Sequence, residues 1–204
     1  MDHPWPTSQQ AFADAAQWFV TTTALVDGRW DAPGLGEWDV RSLVGHTSRS
    51  LLTVETYLGR PAEVVEVESA VGYYGATRAL AAGPGVAERG REAGAALGAD
   101  PAASVAAIAA RVLPVVAACD GTEVVTTIAG GMRLSDYLPT RTFELVVHTA
   151  DLGAAIGVPT EPPPVAATQA VELVAQLAVE GGLAGPLLRA ATGREGLPPG
   201  FTVL

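Results

Sequence analysis

Glu144 and His148 stand four residues apart in RTFELVVHTADLGAAIG, and His46 lies far upstream in WDVRSLVGHTSRS. Four residues is about one helical turn, so Glu144 and His148 share a helix face. The remaining histidine, His3, falls in a terminus expected to fray. If His46 meets the Glu144–His148 face from a neighbouring helix, two imidazoles and one carboxylate converge. That donor set, with one position left open, is a common catalytic zinc environment. Spacing alone does not decide the matter, because convergence depends on which helices pack together.

Each of these residues has an ordinary alternative. A Glu and a His one turn apart usually occupy a solvated face or make an i,i+4 hydrogen bond. Here the neighbours Phe143, Leu145, Val146 and Val147 are apolar, so the helix is expected to be mostly buried. A buried carboxylate without a partner is costly, and a cation offsets that cost. Arg141, one turn before Glu144, is the competing cation: a buried Arg141–Glu144 pair would account for the carboxylate without a metal. A lone histidine on a helix is more often a satisfied core residue than a ligand. His46 has small neighbours, Gly45, Thr47 and Ser48, which let a second helix approach or simply pack. Asp151, three after His148, can accept from a liganding imidazole or from Arg141, or lie on the helix surface. Trp38, just before Asp39, reads as a packing staple. Cys119 beside Asp120 should have its thiol pKa raised by like charge, against a nucleophilic role. Tyr73, Tyr74 and Arg78 sit at helical spacing and either line a pocket or cover the bundle. The chain has no phosphate-cradling glycine loop, no Ser-His-Asp order and no CxxC pair.

The elements that must position these residues are helices. A first helix, capped by Thr7 or Ser8, runs to about Val26, and the loop DGRWDAPGLGEW follows. Asp39 is an expected N-cap for a helix from Val40 to Leu58, with Leu43, Val44, Leu51 and Val54 on its apolar face. Gly59–Arg60–Pro61 ends it. A helical stretch over about Glu66–Ala82 is interrupted by Gly83–Pro84–Gly85, and a short helix runs on to Leu97. Pro101 opens a helix through about Cys119. TEVVTTIAGGMRLS is β-branched around Gly130–Gly131 and reads as a short hairpin or extended excursion. From about Ser135 a long helix carries Glu144 and His148 to near Gly157. Helices over about Val165–Val179 and on to about Thr192 follow, and the tail GLPPGFTVL is expected to be extended and to pack back. The fold class is all-α: a bundle of four main helices with extras over residues 1–164, with a helical C-terminal extension over 165–204 packed on it.

Composition bounds the function. The 204 residues are 49% hydrophobic and 17% charged, which excludes disorder and supports one sizeable core. A net charge of −10 makes nucleic acid and anionic membrane surfaces poor partners. The single cysteine excludes an internal disulfide and fits a reducing compartment. The start MDHPWPTSQQ shows no basic segment followed by an apolar one. The longest apolar stretch, about 102–119, is broken by Arg111 and Pro114 and is too short for a membrane span. A cytoplasmic location is the expectation.

WDVRSLVGHTSRSLL together with RTFELVVHTADLGAAIG, about a hundred residues on, resembles the mycothiol-dependent maleylpyruvate isomerase-like proteins. These belong to the wider DinB/YfiT-like metal-binding four-helix bundles. The resemblance covers roughly residues 8 to 160. It implies an antiparallel four-helix bundle in which His46, Glu144 and His148 correspond to the family's zinc ligands, at one end of a pocket. It also implies a low-molecular-weight thiol, often mycothiol, as cofactor or co-substrate. Isomerases of this type carry a second C-terminal domain that helps hold an acidic substrate. About forty residues follow Pro164 here, and Arg78 is the candidate left for binding cofactor or substrate.

The expected function is therefore that of a zinc-dependent, thiol-using isomerase or S-transferase acting on a small electrophile. Its partners would be that electrophile and the thiol, in a monomer or homodimer. The alternative is a non-catalytic metal- or small-molecule-binding bundle.

Overall fold

The computed structural model describes residues 3–81 and 85–204. In chain order the elements are α1 (Trp5–Ala24), β1 (Pro33–Leu35), β2 (Trp38–Asp39), α2 (Val40–Leu58), α3 (Ala70–Ala81), α4 (Val86–Ala96) and α5 (Pro101–Ala117). Then come β3 (Val124–Thr127), β4 (Gly130–Arg133), α6 (Leu134–Ile156), α7 (Pro164–Glu180) and α8 (Ala184–Ala191).

Four of these helices form the bundle. α1 and α2 each pack against both α5 and α6. The pattern that drives this is visible in α1, where Phe12, Ala15, Ala16 and Phe19 are all fully buried at the i, i+3, i+4, i+7 spacing of one helix face. Leu43 and Leu51 of α2 and Leu138, Leu145 and Leu152 of α6 meet them with no exposed surface. Each such side chain contributes about 2 kcal/mol of apolar burial. α2 and α6 run antiparallel: the His46 and His148 rings are neighbours, while Tyr137 Oη donates to Thr53 Oγ1 at 2.9 Å further along the seam.

Local chemistry sets the helix ends. Asp39 caps α2, its carboxylate accepting from the Ser42 amide at 2.7 Å. Asp100 caps α5 in the same way, from Ala103 at 3.0 Å, with Pro101 in the first turn. α6 stops where Gly157 turns left-handed at φ +71°.

The β3–β4 stretch is a hairpin, paired from Val124↔Arg133 to Thr127↔Gly130. Two segments depart from the sequence reading. The loop after α1 carries a minimal antiparallel pair, β1–β2. α3 begins at Ala70 rather than Glu66, because the chain before it pairs with the hairpin. Ala62 N donates to Val124 O at 2.9 Å, and Glu66 N to Gly131 O at 2.8 Å. Gly131 is required there, since a Cβ would overlap the Val64 carbonyl. Gly83 and Pro84, read as the break after α3, lie outside the described residues. α7 packs on α1 and α6 through Ala166, Ala170, Leu173 and Leu177, and Val203 of the tail is buried. No single helix among the described residues is long and apolar enough to cross a membrane.

Candidate metal centre

His46 stands in the second turn of α2, at a close helix crossing. A Cβ on Gly45 would overlap the Gly94 backbone of α4, and one on Gly94 would come within 2.8 Å of the Arg41 carbonyl. The small residues beside His46 therefore do admit a second helix, and that helix is α4. The imidazole stacks on Trp38, ring centroids 4.5 Å apart at 34°. Trp38 is fixed in turn: its Nε1 donates to Ala87 O at 3.0 Å, and Gly90 leaves room for its indole.

Across the seam α6 presents Glu144 and His148. The His46 and His148 rings meet edge to face, centroids 4.9 Å apart at 85°. Glu144 Oε2 lies 3.3 Å from His148 Nε2, and the two side chains are 20% and 16% exposed. One donor atom from each of His46, Glu144 and His148 falls within 4.8 Å of the other two. Tetrahedral zinc with bonds of about 2.0–2.1 Å holds its ligand atoms roughly 3.4 Å apart. The Glu144–His148 edge already has that length, and side-chain rotation closes the others.

Two further residues hold the group in place. Asp151 Oδ2 is 3.1 Å from His148 Nδ1, which leaves Nε2 as the nitrogen facing Glu144. A carboxylate on the far nitrogen orients a liganding imidazole in this way. Tyr74 of α3 donates to Glu144 Oε1 at 2.7 Å, so the other oxygen is the one turned toward His148. The sequence offered Asp151 as a candidate partner of His148. It gave no sign that Tyr74 reaches Glu144, because the two are seventy residues apart on helices whose packing spacing cannot reveal. Trp38 was readable only as packing; its stacking on His46 is the part that was missed.

The Arg141–Glu144 ion pair does not form. Arg141 Nε donates to Thr140 Oγ1 at 3.0 Å, and its guanidinium lies over the rings of Tyr73 and Tyr137 at 5.2 and 5.1 Å. The carboxylate's partners are His148 and Tyr74 instead. Arg78 occupies the last turn of α3, exposed, with no ion pair among the described residues. Cys119 is half-buried and its thiol is pushed up to about 11, by burial first and then by Glu123, with Asp120 adding to it.

The electrostatics show what the group is built to hold. Burial pushes His46 down to about 4, and the charge of His148 pushes the same way, so His46 is a neutral donor at neutral pH. Burial also opposes a charged His148, but the hydrogen bonds to Asp151 and Glu144 win and raise it to about 9. Burial disfavours ionised Glu144, yet the His148 hydrogen bond, the Arg141 charge and the Tyr74 hydroxyl bring it down to about 2. The Nε2 proton of His148 thus faces the Glu144 carboxylate, next to a neutral imidazole whose nitrogens bond no described residue. A divalent cation can take the place of that proton and gains the His46 lone pair as well. The donor set fits a metal ion.

A cavity of about 880 Å³ lies elsewhere, between the starts of α3 and α6 and the later turns of α7. Ser8, Ser135, Gln169 and Glu172 line it, and none of the three candidate ligands does.

Fold and site together define a mostly helical bundle with a His/Glu/His group able to hold a metal ion. Residues 12–153 match the mycothiol maleylpyruvate isomerase N-terminal domain, and the chain belongs to that family. No curated protein and no solved structure matches it.

Proposed function

We propose that this protein is a zinc-dependent enzyme that uses a low-molecular-weight thiol, such as mycothiol, to isomerise a small electrophile or to conjugate it to the thiol sulfur. The observation that carries the reading is the convergence of His46, Glu144 and His148 within 4.8 Å, braced by Asp151 and Tyr74. The family's name supplies the thiol and the isomerase type.

His46, Glu144 and His148 would hold the zinc, which would supply a lowered pKa to a thiol bound beside it, so that the thiolate would be present at neutral pH. The chain's residues do the positioning. Asp151 keeps His148 Nε2 turned to the centre, Tyr74 keeps one oxygen of Glu144 turned there, and Trp38 walls off the side of His46. A thiolate beside an electrophilic carbon has two outcomes. It adds and moves an electron pair into the acceptor; the adduct then rotates and that pair expels the thiolate, giving an isomer, or the pair takes a proton from solvent and the new C–S bond is kept, giving a conjugate. The reducing cytoplasm, where such thiols are free, is the compartment this reading favours.

A second reading is a metal-binding bundle without catalysis. It is favoured by the engagement of Asp151 and Tyr74 in holding the ligands, which leaves neither free as an acid or base. The experiment that decides is turnover of a small electrophile with a panel of thiols, in zinc-loaded and metal-stripped protein. Turnover that needs both thiol and zinc supports the enzyme; stoichiometric zinc without thiol-dependent turnover supports the second reading.

A further inference from the structure

We infer that Arg141 and Arg49 form a carboxylate-binding subsite one helical turn from the triad; the inference rests on the proposed thiol chemistry at that triad. Arg141, Glu144 and His148 follow one another at i, i+3 and i+7 and so line one face of α6. Arg49 follows His46 by three on α2. Because the two helices are antiparallel, with His46 beside His148 and Thr53 bonded to Tyr137, Arg49 comes level with Arg141. Along the seam both residues lie on the Tyr137 side of the triad, and the Arg141 guanidinium lies over the Tyr137 ring.

Neither has a carboxylate within 4.0 Å among the described residues, although the chain holds 22 acidic residues against 12 basic ones. Four other arginines, Arg91, Arg111, Arg133 and Arg189, do have acidic partners. Arg141 spends one donor of its five on Thr140. The rings of Tyr73 and Tyr137 hold its plane, and its terminal nitrogens bond no described acceptor. Arg49 is half-buried; its carbonyl accepts from Thr53 Oγ1 at 2.8 Å, and its guanidinium makes no hydrogen bond or ion pair among the described residues. Two half-buried like charges at one level are unfavourable by themselves. A planar anion with two oxygens completes them, since a guanidinium fork matches a carboxylate.

The carboxylate belongs to the electrophile or to the thiol, and the test separates the two. Metal-stripped and zinc-loaded protein are titrated calorimetrically with fumarate and its neutral diamide, and with mercaptoacetate and its amide. The carboxylate partner is expected to bind at least about tenfold more tightly than its amide, the worth of one charge-assisted hydrogen bond. Arg141→Gln and Arg49→Gln should each erase most of that preference. The pair that shows the preference identifies which reactant carries the anion. Arg49 lies outside the tyrosine stack, so Arg49→Gln serves even if Arg141→Gln unfolds. Equal binding of acid and amide in both pairs overturns the subsite, as does a preference that survives in Arg49→Gln and in folded Arg141→Gln. Zinc stoichiometry, measured on the same samples, reports separately on the triad: fumarate binding to stripped protein stands even if zinc does not bind.

Discussion

Among the described residues there are two His–Glu pairs, and they teach different lessons. His3 Nε2 and Glu172 Oε2 are 2.6 Å apart at the large cavity. His148 and Glu144 are further apart, at 3.3 Å, in the α2–α6 seam. By distance and by cavity volume the first pair looks the better site. It draws on the chain terminus, and among the described residues no third donor completes a metal group there. The second pair has His46 facing it, Asp151 behind the imidazole and Tyr74 behind the carboxylate. Support from three separate elements, rather than proximity or volume, distinguishes a site from a contact.

The sharpest way to break this contrast is to remove one histidine from each pair. His148→Ala should abolish stoichiometric zinc, a loss of about a thousandfold or more in affinity, because two ligands rarely hold zinc. His3→Ala should retain one zinc per chain. Elemental analysis of the two dialysed variants measures both.

Glu144→Gln is expected to act on both metal and fold. Zinc affinity should fall about a hundredfold, since the charge of the site is lost with the ligand. The metal-free protein should also lose about 2 kcal/mol, because a charged His148 is left with one carboxylate instead of two. Glu172→Gln should change zinc affinity by less than twofold. Chelator competition and denaturant melts of the stripped proteins report the two effects.

The pH dependence of the metal-free protein sharpens the account of His148. Its pKa is raised from 6.5 to about 9, so its stabilising contribution is full below about pH 6.5 and is lost as pH rises through about 9. Unfolding free energy should drop by about 2 kcal/mol over that window. The slope should be missing in His148→Gln and in the zinc-loaded protein. Glu144 works in the opposite sense: its contribution is present above about pH 4.5 and disappears as pH falls through about 2.

The smallest effects should come from the bracing residues. Asp151→Asn and Tyr74→Phe each leave all three ligands in place and should weaken zinc about tenfold. An unchanged affinity in both would reduce Asp151 and Tyr74 to ordinary packing.

Much of this was legible in the sequence, for reasons that can be named. Periodicity and a capping carboxylate set α2, whose ends at Val40 and Leu58 and whose Asp39 cap are as expected. The i,i+4 pair was visible because both residues share one helix. Gly130–Gly131 marked the β3–β4 hairpin. What stayed hidden depended on contacts between elements. The start of α3 is delayed because residues 61–67 pair with the hairpin, and no local propensity encodes that. The β1–β2 pair is too short for a period-2 pattern to show. Arg141 was one turn from Glu144 and so looked like its ion-pair partner, but Thr140 and two tyrosine rings claim the guanidinium. Sequence spacing gives the neighbours on one helix; it does not say which of them, with a ring from a second helix, takes the guanidinium.

The central claim is that His46, Glu144 and His148 together hold one metal ion. X-ray absorption at the zinc edge, on protein loaded with one equivalent, tests it most directly. Two imidazole nitrogens and one carboxylate oxygen should lie at about 2.0–2.1 Å, with the remaining position taken by solvent or, after addition, by a thiol sulfur at about 2.3 Å. In His46→Ala one imidazole should be missing from the spectrum. A spectrum with a single imidazole in the wild type, or one that His46→Ala leaves unchanged, would contradict the account.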